Sequence, residues 1–220
     1  MLDLLLPQRC LVCAEPGAQV CAGCTSSLRR VALPRCDRCG APTAWPVQRC
    51  SECAGRRLAF AHARAAVEYD TPVRRIVAAW KERGLRRLAA WAAAVVADTV
   101  DRPDVDCLVF VPADGDRRLH RGYHPAEQLA HELVSAWELS VESALVRIRG
   151  SPRQRGLSRR ERRRNVAAAF RAERRVPGAV ALVDDVYTTG ATADAAASAL
   201  RKVGARHVEI VTFARTIRIR

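Results

Sequence analysis

Four Cys-x-x-Cys pairs in the first quarter of the chain constrain its fold more than any other sequence feature. They take up eight of the nine cysteines: Cys10 and Cys13, Cys21 and Cys24, Cys36 and Cys39, and Cys50 and Cys53. A two-residue gap lets one tight turn direct two thiolates at a single ion, and two such turns complete a tetrahedral Zn²⁺ site. The sequence therefore predicts two structural zinc sites in a cysteine-rich knuckle or ribbon module.

Spacing alone leaves other uses of these cysteines open. A disulfide framework needs an oxidising compartment, and the first ten residues lack the basic start of a signal peptide. Iron–sulfur ligation shares the four-thiolate geometry. The pairs could also combine in sequence or interleaved. We favour the sequential order, because Cys24 leads into a Thr-Ser-Ser segment that could cap a helix and close a small finger.

Charge and hydropathy indicate the kind of partner. The formal net charge of +14 attracts phosphate groups on a nucleotide or a polynucleotide. No apolar run approaches the roughly 18 to 20 residues that cross a bilayer, because Asp98 and Asp101 interrupt the longest one. We therefore expect a cytoplasmic protein without membrane insertion.

From about residue 60, strand-like and helix-like patterns alternate. Apolar runs predict strands at 61–69, 107–111, 144–148, 180–183 and 208–213. Helical spacing predicts helices between 73 and 99 with an interruption at Gly84, at 129–137 and at 193–203. This alternation is typical of an α/β fold with a parallel sheet flanked by helices, whose ligands bind at the carboxyl ends of the strands. The chain thus divides into a zinc-binding module at 1–57 and an α/β domain at 58–220.

The strongest site signal follows the apolar run at 180–183. Two carboxylates, Asp184 and Asp185, precede a turn of small and hydroxyl residues that opens a helix. The hydroxyls of Thr188, Thr189 and Thr192, with the N–H groups of the first helical turn, can form a nest for a phosphate. The two acids would repel that anion, so they suit sugar hydroxyls or Mg²⁺. A ribose 5-phosphate satisfies both halves.

The segment Asp184-Asp-Val-Tyr-Thr-Thr-Gly-Ala-Thr192 resembles the phosphoribosyl diphosphate (PRPP) signature of type I phosphoribosyltransferases. Together with the cysteine-rich start, nearly the whole chain resembles the ComF family of predicted phosphoribosyltransferases associated with bacterial competence and DNA uptake. The resemblance implies a type I phosphoribosyltransferase-like fold that binds PRPP with Mg²⁺. It assigns PRPP binding to Asp184, Asp185, Thr188, Thr189, Gly190, Ala191 and Thr192.

The same resemblance implies further roles. The loop after the first buried strand would contact diphosphate through Pro112, Ala113 and Asp114. The segment 154–165 is similar to the family's Gln-x-x-Leu-x-x-x-x-Arg-x-x-Asn stretch, and its Arg160 and Arg163 would stabilise the leaving diphosphate during catalysis beside Asp184 and Asp185. Where the family usually has Arg-Gly-Phe-Asn-Gln, this chain has Tyr123, His124 and Pro125 in the last three places, which removes the side-chain amides.

Two classes of function stay open on the sequence. The first is pentosyl transfer from PRPP to an acceptor that no motif identifies. The second is a non-catalytic component of the competence machinery that binds single-stranded DNA or docks on a helicase or another DNA-processing protein. Twelve arginines against two glutamates at 147–175 could grip a nucleic-acid backbone as well as a diphosphate. Trp45, among the arginines of the knuckles, could stack on a base.

Overall fold

The computed structural model describes residues 8–113, 123–148 and 169–217. In these ranges one sheet contains five strands, all parallel, in the spatial order β1-β7-β6-β2-β3. Its strands are β1 (His62–Glu68), β2 (Cys107–Phe110), β3 (Ser140–Glu142), β6 (Ala179–Tyr187) and β7 (His207–Arg215). Two further strands, β4 (Leu145–Arg147) and β5 (Phe170–Ala172), pair antiparallel outside this sheet. The predicted α/β class with a parallel sheet is confirmed.

Five helices of the described residues flank the strands, and most of them lie within a few residues of the predicted bounds. They are α1 (Ala22–Ser26), α2 (Thr71–Arg83), α3 (Leu88–Thr99), α4 (Pro125–Trp137) and α5 (Ala191–Arg201). The Asp70 carboxylate caps α2 by accepting the N–H of Val73 at 3.1 Å. Gly84 ends the helix in the left-handed conformation with φ 70°. In the described ranges no helix has the length and apolar character of a membrane span.

Helices cover both faces of the sheet. Apolar side chains of α2, α3 and α4 pack on one face against strand residues such as Val183 and Phe213. The opposite face carries α5, the β4–β5 pair and part of the cysteine-rich segment, which pack against Val180, Leu182 and Ile210. Strand β6 at the centre is therefore buried on both sides, as its continuous apolar run predicts.

The cysteine-rich segment packs around the outer strand β1. Val20 and Leu28 join the core of one face, and Phe60 joins the core of the other together with buried cysteines. Residues 29–38, which connect the two cysteine groups, run along β1 and hydrogen-bond to it at 2.8 to 3.1 Å. The N–H of Val31 donates to the carbonyl of Ala66, that of Glu68 to the carbonyl of Arg29, and that of Ala63 to the carbonyl of Arg38.

Two local expectations are wrong, and two short strands were not predicted. Strand β6 does not end before the acids but continues through Asp184 and Asp185 to Tyr187, because its pairing with β7 continues that far. The helix expected after Cys24 is instead α1, which is capped by the Sγ atom of Cys21 and ends at Ser26. The three-residue strands β3 and β5 had no sequence signal.

Candidate functional site

The eight paired cysteines form two groups of four. One comprises Cys10, Cys13, Cys21 and Cys24, and the other comprises Cys36, Cys39, Cys50 and Cys53, with all Sγ atoms of a group within 4.8 Å of one another. Measured Sγ–Sγ separations are 3.5 to 3.7 Å. A tetrahedron with Zn–S bonds of 2.3 Å has edges of roughly 3.8 Å. The thiols are free of disulfides, so both groups fit zinc in the sequential order.

Backbone N–H groups prepare these sulfurs for a metal. The N–H of Cys50 points to Sγ of Cys36 at 3.3 Å, and the N–H of Cys21 points to Sγ of Cys10 at 3.5 Å. Although burial acts in the opposite direction, the backbone donors of Cys39 and Cys50 lower the pKa of Cys36 to about 7. Burial raises the pKa of Cys39 and of Cys53 in the same group. The thiolate, which is the form that binds zinc, is thus favoured at Cys36.

A tight turn connects the central strand to α5 at the carboxyl edge of the sheet. Thr188 and Thr189 are exposed there, and Gly190 has φ 73°, which favours glycine. Gly190 occupies the N-cap position and has no side chain to cap the helix. The N–H of Ala191 donates to Oγ1 of Thr189 at a long 3.4 Å, and an anion at the first turn of α5 could replace this weak contact.

The acid pair lies directly below this turn. The Asp184 carboxylate, half-buried, accepts the N–H of Asp185 at 2.9 Å. Lys81 of α2 places Nζ 2.6 Å from Oδ2 of Asp185. Burial, together with the neighbouring charge of Asp185, raises the pKa of Asp184 to about 8. The raised pKa favours the protonated form of Asp184, which can donate a hydrogen bond, and the Lys81 ammonium group lies beside Asp185.

Asp184→Asn is expected to stabilise the chain increasingly as the pH rises from 4 to 8. The folded chain holds the Asp184 proton up to about pH 8, whereas the ordinary pKa is 3.8. Within this window the folded state binds more protons than the unfolded state, so its stability falls as pH rises. Asparagine does not titrate and so removes this loss of stability with pH. Thermal unfolding of both chains at several pH values measures the difference in stability. Asp98→Asn, at a carboxylate that is 74% exposed, should show no such trend; lower stability of Asp184→Asn at pH 8 would contradict the assignment.

A small hollow opens between the turn and the sheet. Its lining includes Asp184, Thr188 and Thr192 with Val111 from the end of β2 and Thr212 from β7. Its volume of about 20 Å³ holds roughly one water molecule. The turn, Asp184 and the end of β2 therefore meet at the carboxyl edge of the sheet.

Two residues that follow the last cysteine closely hydrogen-bond to this turn and to the start of α5. Arg56 donates from Nη1 to the carbonyl of Thr189 at 2.8 Å, and Ala59 donates its N–H to Oδ1 of Asp194 in the first turn of α5 at 2.7 Å. The second cysteine group is thus tied to the loop through residues that follow it closely in sequence.

A buried arginine makes a second connection. Arg215 lies at the end of β7 and is 1% exposed. Its Nη1 donates to the carbonyl of Cys39, and its Nη2 lies 3.4 Å from Oε2 of Glu52. Its guanidinium carbon is 5.3 Å from the ring centroid of Tyr187. That ring lies beneath Gly190, because a Cβ at Gly190 would come 2.2 Å from the Tyr187 hydroxyl.

The structure brings most of the sequence-predicted residues together. Pro112 and Ala113 follow β2 at the same edge, where Val111 donates its N–H to the carbonyl of Val183 at 2.9 Å. Asp114, Arg160 and Arg163 lie outside the described residues. His124 caps α4 by accepting the N–H of Glu127 at 3.2 Å, and the Tyr123 hydroxyl donates to the carbonyl of Trp80. These two residues hold helices in place.

Sequence reasoning missed three residues around the turn. Arg56, Tyr187 and Arg215 gave no local signal, since each contacts the turn or its support through partners distant in sequence. Lys81 shares its basic character with neighbouring residues of α2 that are typical of a solvated helix face, but its ammonium group pairs with Asp185. No local pattern distinguishes it from those neighbours.

The double zinc ribbon domain family matches residues 1–54. Over most of the chain, the sequence is similar to bacterial proteins with named roles. The DNA utilization protein YhgH of Salmonella typhi is 31% identical over 97% of this chain and its own full length. Competence protein F of Haemophilus influenzae is 28% identical over 89% of this chain and 90% of that protein.

Two solved structures match just over half of this chain. The glutamine PRPP amidotransferase of Bacillus subtilis, complexed with ADP and GMP, matches 58% of this chain and 25% of its own, with 22% identity and a TM-score of 0.39. A purine phosphoribosyltransferase of Pyrococcus horikoshii matches 57% of this chain and 82% of its own, with 19% identity and a TM-score of 0.33.

Proposed function

The chain belongs to the family of the DNA utilization protein YhgH and competence protein F. We propose that it acts in DNA uptake, as these names indicate, and that it binds PRPP. One observation carries the PRPP proposal: at the end of the central strand, an acid pair precedes exposed threonines and an open helix start. In this proposal, residues 1–57 form the metal-binding unit and residues 58–220 the PRPP-binding unit of a cytoplasmic protein.

The acid pair and the turn have complementary tasks toward a ribose 5-phosphate. The protonated Asp184 donates to a ribose hydroxyl, and Asp185, whose Oδ2 lies 2.6 Å from Nζ of Lys81, accepts from another. The 5-phosphate accepts hydrogen bonds from the N–H groups of Gly190 and Ala191 and from the hydroxyls of three threonines, Thr188, Thr189 and Thr192. The negatively charged phosphate thus lies at the N-terminus of α5, and the neutral ribose hydroxyls lie at the acid pair.

The diphosphate end of PRPP would lie toward β2. Pro112, Ala113 and Asp114, which follow β2 in the sequence, would contact it, and Arg160 and Arg163 would supply positive charge. Mg²⁺ accompanies the diphosphate, whose oxygens suit this hard cation. In transfer, the bond from C1 to the diphosphate oxygen breaks with its electron pair leaving on oxygen. The cationic sugar then accepts the lone pair of a nitrogen nucleophile, whose proton passes to the released diphosphate or to water, and no protein residue forms a covalent bond.

Calorimetric titration with PRPP and Mg²⁺ tests this proposal directly. We expect binding to the wild-type chain and at least about 10-fold weaker binding to Asp184→Asn/Asp185→Asn. The asparagine amide at 184 can still donate, but the carboxylate at 185 is lost, and a hydrogen bond to a charged group contributes about 1.5–3 kcal/mol. Asp98→Asn is the matched control for loss of a carboxylate and should bind normally. No binding to the wild type at millimolar PRPP would refute the proposal.

A second function, binding of single-stranded DNA, is favoured by one exposed side chain. Trp45 is 68% exposed on the second zinc ribbon, whereas Trp80 and Trp137 are buried. Indole rings on a cationic surface stack on bases of any sequence. Phosphates would add salt-dependent attraction to the surrounding arginines. This surface could serve DNA uptake whether or not PRPP is turned over.

Fluorescence anisotropy with labelled oligothymidine tests the DNA surface. We expect Trp45→Ala to weaken binding about 10-fold, because stacking contributes about 1–3 kcal/mol per base. Leu33→Ala, at another exposed apolar residue near the same ribbon, serves as the control and should bind normally. Equal affinities of wild type and Trp45→Ala at two salt concentrations would exclude this role for the ring.

A further inference from the structure

A third group of metal-binding side chains lies at the amino-terminal edge of the sheet, away from the acid pair. We propose that His62, His207 and Glu209 bind a divalent transition-metal ion. The three residues stand at the starts of β1 and β7, and their candidate ligand atoms all lie within 4.8 Å of one another. This site is independent of the two cysteine groups and of PRPP.

The sheet itself sets the geometry of this group. His62 is the register partner of Glu209 in the parallel pairing of β1 with β7. His207 is two residues before Glu209 on the same strand, so both side chains point to one face. Backbone pairing, rather than a loop, therefore brings the two imidazoles to one carboxylate.

The distances are close to those of a bound ion. Nε2 of His62 is 2.9 Å from Oε2 of Glu209, and Nε2 of His207 is 3.0 Å from Oε1. With Zn–N and Zn–O bonds of about 2.0–2.2 Å, the ligand-to-ligand edges of a tetrahedron are roughly 3.3–3.5 Å. An outward shift of a few tenths of an ångström would make room for the ion.

Burial leaves the group open on one side. The Glu209 side chain is 10% exposed, whereas His62 and His207 are 31% and 43% exposed. The carboxylate forms the floor, and an ion can enter between the rings and keep water as a further ligand. Three protein ligands with an open position differ from the closed four-thiolate sites, so this ion exchanges more readily.

The donor set selects the metal class. Two imidazoles with one carboxylate suit Zn²⁺, Co²⁺ or Ni²⁺, whereas Mg²⁺ and Ca²⁺ prefer oxygen ligands alone. The position also suggests a consequence for the fold. Ala63, the next residue after His62, donates its N–H to Arg38 beside the second cysteine group. An ion at this group would fix the start of β1 where the strand meets the ribbon.

Native mass spectrometry and Co²⁺ titration of the full chain, prepared with two zinc ions and without a histidine tag, test this site. We expect a third ion in the wild type, with the weak visible bands of nitrogen and oxygen ligands rather than the intense thiolate absorption. His62→Ala and His207→Ala should each hold two ions only. The two retained zinc ions confirm that these variants are folded.

His131→Ala is the matched control, because His131 is an exposed histidine of α4 outside the group, and it should bind three ions. The proposal is overturned if the wild type takes up no third ion at micromolar metal. It is also overturned if the third ion persists in both His62→Ala and His207→Ala. In those cases the three side chains form a hydrogen-bonded brace without metal.

Discussion

Gly190→Ala is expected to lower PRPP affinity at least about 100-fold while the sheet stays folded. A Cβ at this position would come 2.2 Å from the Tyr187 hydroxyl. The Tyr187 ring is held in place, since it is buried and has the Arg215 guanidinium 5.3 Å away. The turn must therefore move, and it carries with it the N–H groups proposed to hold the phosphate, each contributing about 1.5–3 kcal/mol to a charged ligand. Calorimetry with Mg²⁺ and PRPP measures the loss.

Gly84→Ala separates the collision from the backbone cost. Gly84 has nearly the same φ, 70° against 73°, but a Cβ there would meet only Cε1 of Tyr123 at 3.8 Å, an ordinary contact. Both variants bear a left-handed backbone cost of about 1–2 kcal/mol, and only Gly190→Ala displaces the turn. Equal PRPP affinity of the two variants would show that the turn does not hold the ligand.

Cys39→Ser is expected to cause the largest loss of stability, with release of one zinc ion and a fall in Tm of about 10 °C or more. Cys36, Cys39 and Cys53 are buried in the core that covers one face of the sheet. Zinc binding at a structural site is itself folding free energy, about 10–16 kcal/mol in zinc-finger peptides, and total stabilities are about 5–15 kcal/mol. Metal analysis and thermal unfolding measure both effects.

The matched variant is Cys13→Ser in the first cysteine group. Cys13 is exposed, so its loss should also release one zinc ion but lower Tm much less. The Cys39 carbonyl, in contrast, anchors the buried Arg215. If both variants lowered Tm equally, the second ribbon would contribute no more to the sheet than the first.

Repeating local patterns made most of the architecture predictable. The Cys-x-x-Cys spacing predicted both metal groups, and their sequential pairing is confirmed by the Sγ positions. Helical spacing at Val73, Ile76, Val77 and Trp80 predicted α2, and all four side chains are buried. The acids and the helix that follows them were placed correctly at the carboxyl edge, because parallel strands bring their ends together there.

Contacts between distant residues were beyond local patterns. Arg215 belongs to a basic C-terminal stretch, yet it is buried against Cys39, 176 residues earlier. Arg56 reaches the carbonyl of Thr189 across 133 residues. The continuation of β6 through two charged residues was missed for a similar reason, since the ladder with β7 outweighs the unfavourable strand propensity of aspartate.

The segment at 29–38 has a consequence for chains made during zinc starvation. An outer strand with free N–H and C=O groups is a template on which another copy can add a strand. On β1, residues 29–38 hydrogen-bond to some of these groups, at Ala63, Ala66 and Glu68. Apo-chains in which the ribbons fail to form would leave those groups bare, and self-association into aggregates would be the expected fate of the apo-protein.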